Sequence, residues 1–108
     1  MAFHLLRTEK ADARLKKIAK VLEHYAAKHP SAEVEAYRQN SASVRVRVID
    51  PTFQGMSRSE REEDFWTLFE ALQDELAAEL SVVLLLTPDE AKKSLASIEF
   101  DDPTPSRI

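Results

Sequence analysis

The sequence predicts a single α+β domain with its elements in the order α-β-β-α-β-α. Valines alternate with arginines over residues 44–48, which is the pattern of a strand with one apolar face. Ser57 and Glu60 have the spacing of a capping box at a helix start. The apolar run at 81–86 is typical of a buried strand. Because a helix joins these two strands, we expect them to be parallel, in a three-stranded mixed sheet with helices packed on one face.

Length and composition indicate one globular domain over residues 1–108. Hydrophobic residues make up 44% of the chain and charged residues 31%, which suffices for one core. We expect this core over about residues 9–98 and an irregular tail over 99–108. The absence of cysteine excludes disulfides and thiolate metal sites. The apolar runs are too short for a membrane span or a signal peptide, which predicts a cytoplasmic protein without a membrane partner.

The first helix is predicted over residues 9–29. Thr8 is the predicted N-cap, and Pro30 ends the helix. Its apolar residues recur at spacings of three and four, at Ala11, Leu15, Ile18, Leu22 and Tyr25. The lysines lie mostly off this stripe, so we interpret them as a solvated helix back rather than as a phosphate-binding face.

Two strands follow, joined by a hairpin around Asn40. The first strand is predicted over 31–37, and the second begins near Val44. In this register Glu35 lies opposite Arg45 and Glu33 lies opposite Arg47. Opposite charges across a strand pair help to fix its register. The main predicted role of the two arginines is therefore cross-strand pairing, and contact with a ligand is secondary.

The second half of the chain returns to the sheet. The long helix is predicted from Ser57 to about residue 78, and Thr87 begins a second capped helix with Pro88 at its first position. The inner face of that last helix is predicted at Ala91, Leu95 and Ile98, and Phe100 and Ile108 are predicted to tuck against the body. The predicted core comprises Val46, Val48, Phe65, Phe69, Leu72, Val83 and Leu85.

This order, with a Phe-x-Gly turn before a capped helix, resembles the BolA-like family, whose fold is related to the type II KH domain. The matching residues are Tyr37-Arg-Gln-Asn40 at the hairpin, residues 44–50 in the second strand, Phe53 and Gly55 in the turn, Ser57 with Arg61 at the helix start, and Thr87-Pro-Asp-Glu90 at the last helix. The resemblance covers about residues 33–95. It implies a BolA-like, type II KH-like fold.

The chain departs from this family at positions that bear on cofactors. The family usually carries Arg-His at the start of the long helix, where this chain has Arg61 followed by Glu62. The family histidine implicated in sharing an iron–sulfur cluster with monothiol glutaredoxins corresponds to about Leu86. Because these ligands are missing, we predict no metal and no other cofactor. The Gly-x-x-Gly loop of KH domains is missing too, since Gly55 is the only glycine.

The leading functional hypothesis is a non-enzymatic BolA-like domain that acts as a protein-interaction or regulatory module. The partner expected from this hypothesis is another protein or a second copy of the chain. No catalytic residues are predicted, because the serines have no histidine nearby in sequence to act as a base. The candidate interaction surface comprises Arg38, Arg45, Arg47, Phe53, Gly55, Arg58, Arg61 and Trp66.

The alternative hypothesis is a nucleic-acid-binding transcriptional regulator that uses an arginine patch at the Phe-x-Gly turn and helix start. The net charge of −4 opposes binding to phosphates. Four carboxylates between positions 60 and 64 also surround Arg58 and Arg61 and are predicted to pair with them. Any nucleic-acid binding is therefore predicted to be weak.

Overall fold

The computed structural model describes residues 2–6, 12–40, 43–70, 74–94, 97–98 and 100. They form a small α+β domain. Its strands are β1 (Ala2–Leu5), β2 (Glu33–Asn40), β3 (Ser43–Ile49) and β4 (Leu80–Leu86). Its helices are α1 (Ala13–Lys28), α2 (Arg58–Phe69), α3 (Asp74–Ala77) and α4 (Pro88–Lys93), and a 3₁₀ turn lies at Pro51–Phe53.

The sheet has four strands in the order β1-β2-β3-β4, so the predicted three-stranded sheet is wrong. β1 pairs parallel with β2 and places Phe3 beside Val34 and Leu5 beside Ala36. The alternation of Phe3, His4 and Leu5 is the signal for this strand, but it is only four residues long. The antiparallel pairing of β2 with β3 and the parallel pairing of β3 with β4 are confirmed.

The α1 helix begins later than predicted because Asp12 caps it. The Asp12 side chain accepts a hydrogen bond from the backbone N–H of Leu15 at 2.8 Å, and aspartate is a stronger N-cap than threonine. The predicted N-cap Thr8 and the predicted stripe residue Ala11 lie outside the described residues. The rest of the stripe is confirmed, with all four members buried: Leu15, Ile18, Leu22 and Tyr25.

The capping box at the start of α2 is confirmed by both of its hydrogen bonds. Ser57 Oγ accepts from the Glu60 N–H at 3.2 Å, and Glu60 Oε1 accepts from the Ser57 N–H at 2.7 Å. The helix ends at Phe69 instead of near residue 78, and α3 is a separate element. The Glu70 N–H bonds to the Thr67 carbonyl, which tightens the last turn.

The core lies between the sheet and helices α1 and α2. Val44, Val46 and Val48 are fully buried on the inner face of β3. The Tyr25 ring of α1 meets the Phe65 ring of α2 at 5.4 Å between centroids. Five of the predicted core residues are buried, namely Val46, Val48, Phe65, Phe69 and Leu85. Val83 is half-buried against them, and Leu72 lies outside the described residues.

The hairpin register differs from the prediction by two residues. Glu35 lies opposite Arg47, and Tyr37 lies opposite Arg45. Glu33 lies opposite Ile49, so the predicted pairs Glu35–Arg45 and Glu33–Arg47 are wrong. The turn falls later than Asn40, which itself pairs with Ser43. The observed register contains one glutamate–arginine pair, Glu35–Arg47. Charge pairing alone therefore does not distinguish the observed register from the predicted one.

The C-terminal segment covers part of the outer face of the sheet. Phe100 is buried, as predicted, with its ring 4.8 Å from the Tyr37 ring and 4.6 Å from the Arg47 guanidinium carbon. Arg47 also donates to Ser97 Oγ at 2.9 Å. Ile98 was predicted to face inwards but is 53% exposed, because its neighbours Ser97 and Phe100 make the contacts instead. Leu95 and Ile108 lie outside the described residues.

Asp50 and Gly55 shape the turn between β3 and α2. Asp50 is fully buried and accepts hydrogen bonds from Ser31 Oγ at 2.7 Å and from the Thr52 N–H at 2.9 Å. Burial alone would raise the pKa of this carboxyl, but these hydrogen bonds hold the pKa below its ordinary value. Gly55 has a φ of 83°, as expected for the glycine of this turn.

Candidate interaction groove

A groove of about 540 Å³ runs along β4 between the start of α2 and the helix α4. We call it the β4 groove. It is lined by Arg58, Arg61 and Glu62 of α2, by residues 83–86 of β4, and by α4 residues that include Asp89, Glu90 and Lys93. Its volume is within the range of protein binding clefts.

The floor of this groove is the edge of the sheet. β4 pairs with β3, and no other described strand pairs with its far side. The apolar run was predicted to be a buried strand, but only Leu85 is buried. Val82, Val83, Leu84 and Leu86 are each half-buried, and Val83, Leu84 and Leu86 line the groove. Position at the edge explains the difference, because none of the described strands lies along the second flank of β4.

Along β4, the backbone N–H and C=O groups of successive residues point alternately towards β3 and towards the groove. The Leu86 carbonyl accepts from the Asp50 N–H at 2.9 Å, so the backbone groups of Leu86 point towards β3. Because the direction alternates along a strand, the N–H and C=O groups of Leu85 and Val83 point to the other side. The Leu85 carbonyl confirms this alternation, since Arg61 Nη1 donates to it at 2.8 Å.

Arg61 lies at the centre of the groove and joins three elements. Its guanidinium donates to the Leu85 carbonyl, to the Phe53 carbonyl at 3.0 Å, and to Glu90 Oε1 at 2.7 Å. The predicted pairing of Arg61 with acids of its own helix is wrong in the described structure, because Arg61 points inwards and is 9% exposed. Arg58 points outwards and does pair with Glu62, at 3.2 Å.

The carboxylate of Glu90 pairs with Arg61 and also forms part of the N-terminal cap of α4. Its Oε1 also accepts from the Thr87 N–H at 2.9 Å, and Thr87 Oγ1 accepts from the Glu90 N–H at 3.1 Å. The capping box predicted at Thr87 is therefore confirmed. The hydrogen bond from Arg61, followed by the one from Thr87, lowers the pKa of Glu90 from 4.5 to about 2.

The structure brings together only part of the predicted interaction surface. Arg58 and Arg61 line the groove, and Phe53 is buried behind Arg61 with its ring centroid 5.3 Å from the guanidinium carbon. Gly55 lies in the exposed turn. Trp66 is half-buried, 5.3 Å from the Phe65 ring and 5.7 Å from the Phe69 ring, so it belongs to the edge of the core.

The three other predicted arginines lie elsewhere in the fold. Arg45 and Arg47 are on the outer face, where Arg47 pairs with Glu35 at 2.7 Å. Arg38, predicted at the hairpin and in the interaction surface, is buried and pairs with Glu79 at 2.8 Å and with Asp12 at 3.0 Å. Glu79 also pairs with Arg14. The predicted arginine set is therefore divided among three places.

Sequence reasoning missed the α4 side of the groove. Asp89 and Lys93 form an ion pair at 3.2 Å on its rim, and the sequence indicates Glu90 only as part of the start of the last helix. The sequence signal for this side of the groove is the apolar run of β4 followed directly by a capped helix. That pattern does not reveal which flank of the strand is open, because strand order is set by distant pairings.

In the part of the chain that the structure describes, no group of three or more histidine, aspartate or glutamate side chains is arranged to hold a metal ion. None of the described helices has the length and apolar character required to cross a membrane.

Comparison with known proteins gives no match: no family model, curated protein or solved structure is significantly similar to this chain. The resemblance to the BolA-like family therefore stays a prediction from the sequence. Function is therefore inferred from the geometry of the β4 groove.

Replacing Arg61 should destabilise the fold far more than replacing Arg58. Arg61→Ala leaves the Leu85 and Phe53 carbonyls without this donor and removes the cationic partner of Glu90, which should lower the free energy of unfolding by about 3 kcal/mol. Arg58→Ala removes one exposed ion pair on the same helix and should change it by less than about 0.5 kcal/mol. Urea unfolding of the two variants measures both values. Equal losses would show that Arg61 does not hold the elements together.

The Arg61–Glu90 pair should also make stability depend on pH. The pKa of Glu90 is lower in the folded chain, at about 2, than its ordinary value of 4.5. Its stabilising contribution is therefore complete above the ordinary value and is lost as pH falls towards 2. We expect wild type to be more stable than Glu90→Gln at neutral pH, and the gap to close on acidification. Thermal unfolding across this pH range tests it, and a gap independent of pH would contradict it.

Proposed function

We propose that this chain is a non-enzymatic interaction domain of BolA-like architecture that binds an extended protein segment in the β4 groove. The observation that carries the proposal is the half-exposed apolar edge of β4. An open edge with outward-pointing backbone groups is the surface that added strands use in β-augmentation. The backbone gives affinity in this mode, and the side chains that alternate on either face give specificity.

The backbone of β4 offers the groups that such a segment needs. Val83 directs both its N–H and its C=O into the groove, by the alternation that Leu86 and Leu85 define. Val83 and Leu84 line the groove with side chains on opposite faces of the sheet. An added strand would cover apolar surface on both faces at once, and this burial favours binding.

The polar groups of the groove support binding rather than catalysis. Arg61 and Glu90 are bonded to each other and to the backbone. Among the described residues, the groove lining includes Ser94 but no histidine that could serve it as a base. A structural role already accounts for Arg61 and Glu90, so no catalytic residue is assigned.

The pairing of the arginines argues against the nucleic-acid alternative. Arg38, Arg47 and Arg61 are buried in ion pairs, and each would have to give up a carboxylate to reach a phosphate. Arg58 is 85% exposed, but it is one cation beside Glu62. Sequence-independent binding of nucleic acid needs several neutralised phosphates. Protein interaction therefore remains the leading hypothesis.

Photo-crosslinking from the groove tests the proposed function. Leu84 is replaced by photoreactive p-benzoylphenylalanine in the full chain, expressed in its native cells, and the adducts are identified by mass spectrometry. The matched control carries the same residue at Lys20, an exposed position on α1. We expect a defined protein adduct from position 84 that position 20 does not give. No adduct from position 84, or the same adducts from both positions, would contradict the proposal.

A further inference from the structure

β4 has the sequence of a central strand but lies at an edge. Its residues Leu80-Ser-Val-Val-Leu-Leu-Leu86 include no charge and no proline. Natural edge strands usually carry such residues, or bulges, which prevent pairing with other chains. The one irregularity in its pairing lies at its start, opposite Val44 and Arg45. From Val82 to Leu86 the strand therefore has no device of its own against pairing.

We infer that the segment bound in the β4 groove is β4 of a second copy of this chain, paired antiparallel about a twofold axis through Val83. This inference rests on the proposed function and names its partner. The pairing joins two four-stranded sheets into one continuous sheet. An axis perpendicular to the sheet keeps the inner faces of both copies on one side. Val83 and Leu85 then meet the apolar inner face of the other copy, and Val82 and Leu84 meet its outer face.

Arg61 selects the register of this pairing. Val83 and Leu85 are the residues that direct backbone groups outwards, and the Leu85 carbonyl already accepts from Arg61. An axis at Val83 lets the two copies of Val83 exchange both of their backbone hydrogen bonds. An axis at Leu84 would place the central hydrogen bonds on the Leu85 carbonyl of each copy, whereas an axis at Val83 reaches Leu85 only in the flanking pair with Ser81. The free backbone groups therefore place the centre of the dimer at Val83.

The charges around the groove suit a second copy. The chain carries a net charge of −4, so two copies repel each other over most of their surface. The groove is lined by three cations and three carboxylates, so this face has no net charge. They form three ion pairs within the chain: Arg58–Glu62, Arg61–Glu90 and Lys93–Asp89. A strongly acidic or basic segment would gain no electrostatic attraction from this groove, because its charges are balanced. The uncharged apolar strand β4 does not depend on such attraction.

Cysteine crosslinking tests the register directly, because the natural chain has no cysteine. Directly opposite residues of a hydrogen-bonded antiparallel pair have Cα atoms about 5.5 Å apart, which a disulfide can bridge. We expect Val83→Cys to form a covalent dimer on mild oxidation. Ile98→Cys is the control, since residue 98 is more exposed but does not line the groove. It should stay monomeric under the same conditions.

Sedimentation velocity of the unmodified chain tests association without a crosslink. The wild-type sedimentation coefficient should rise towards that of a dimer over a roughly hundredfold increase in concentration, as mass action requires. Leu84→Lys places a charge on the strand and should remain monomeric throughout. Ile98→Lys should associate like wild type. Circular dichroism of each variant checks that the fold is retained.

The outcomes separate this inference from the proposed function. A wild-type chain that stays monomeric, or a Leu84→Lys variant that dimerises as well as wild type, overturns the second copy as partner. If crosslinking from position 84 then captures a different protein, the proposed function stands and only its partner changes. If the photo-crosslink from position 84 instead forms to residues 101–108 of the same chain, both the inference and the proposed function fail.

Discussion

Burial of three arginines determines how the parts of this fold are joined. Arg38, Arg47 and Arg61 each bond to a carboxylate and to a backbone carbonyl. A buried cation requires such partners, since an unpaired one costs several kcal/mol. Arg38 links the start of α1 to Glu79 just before β4, and Arg47 links the outer face to the C-terminal segment. Arg61 links α2 to β4 and α4, so a buried arginine with a carboxylate partner holds β4 at each end.

This arrangement fixes β4 at the edge of the sheet and leaves its middle open. Arg61 satisfies the Leu85 carbonyl as an added strand would, and it thereby protects one end of the edge. Val83 has no such cover among the described residues, although it belongs to the most apolar strand of the chain. The conflict between a central-strand sequence and an edge position is the physical basis of the interaction hypothesis. A partner strand paired at Val83 would resolve this conflict.

Local features of the fold could be predicted from the sequence, and features set by distant contacts could not. The capping boxes at Ser57 and Thr87 depend on residues three positions apart, and both are confirmed. The inward face of β3 follows from its alternating valines. The hairpin register, the fourth strand and the open flank of β4 depend on pairings across the chain. Burial of Arg38 and Arg61 was missed for the same reason, because their partners Glu79 and Glu90 are far away in sequence.

Hydrogen exchange of two adjacent amides in β4 tests the central claim most directly. In a dilute solution of the chain, the Leu84 amide should be protected because it faces β3, and the Val83 amide should exchange rapidly because it faces the groove. Raising the concentration of the binding partner, which we infer to be the chain itself, should slow exchange at Val83 and leave Leu84 unchanged. A Val83 amide as protected as that of Leu84 at high dilution would show that this edge is already paired, and would contradict the account.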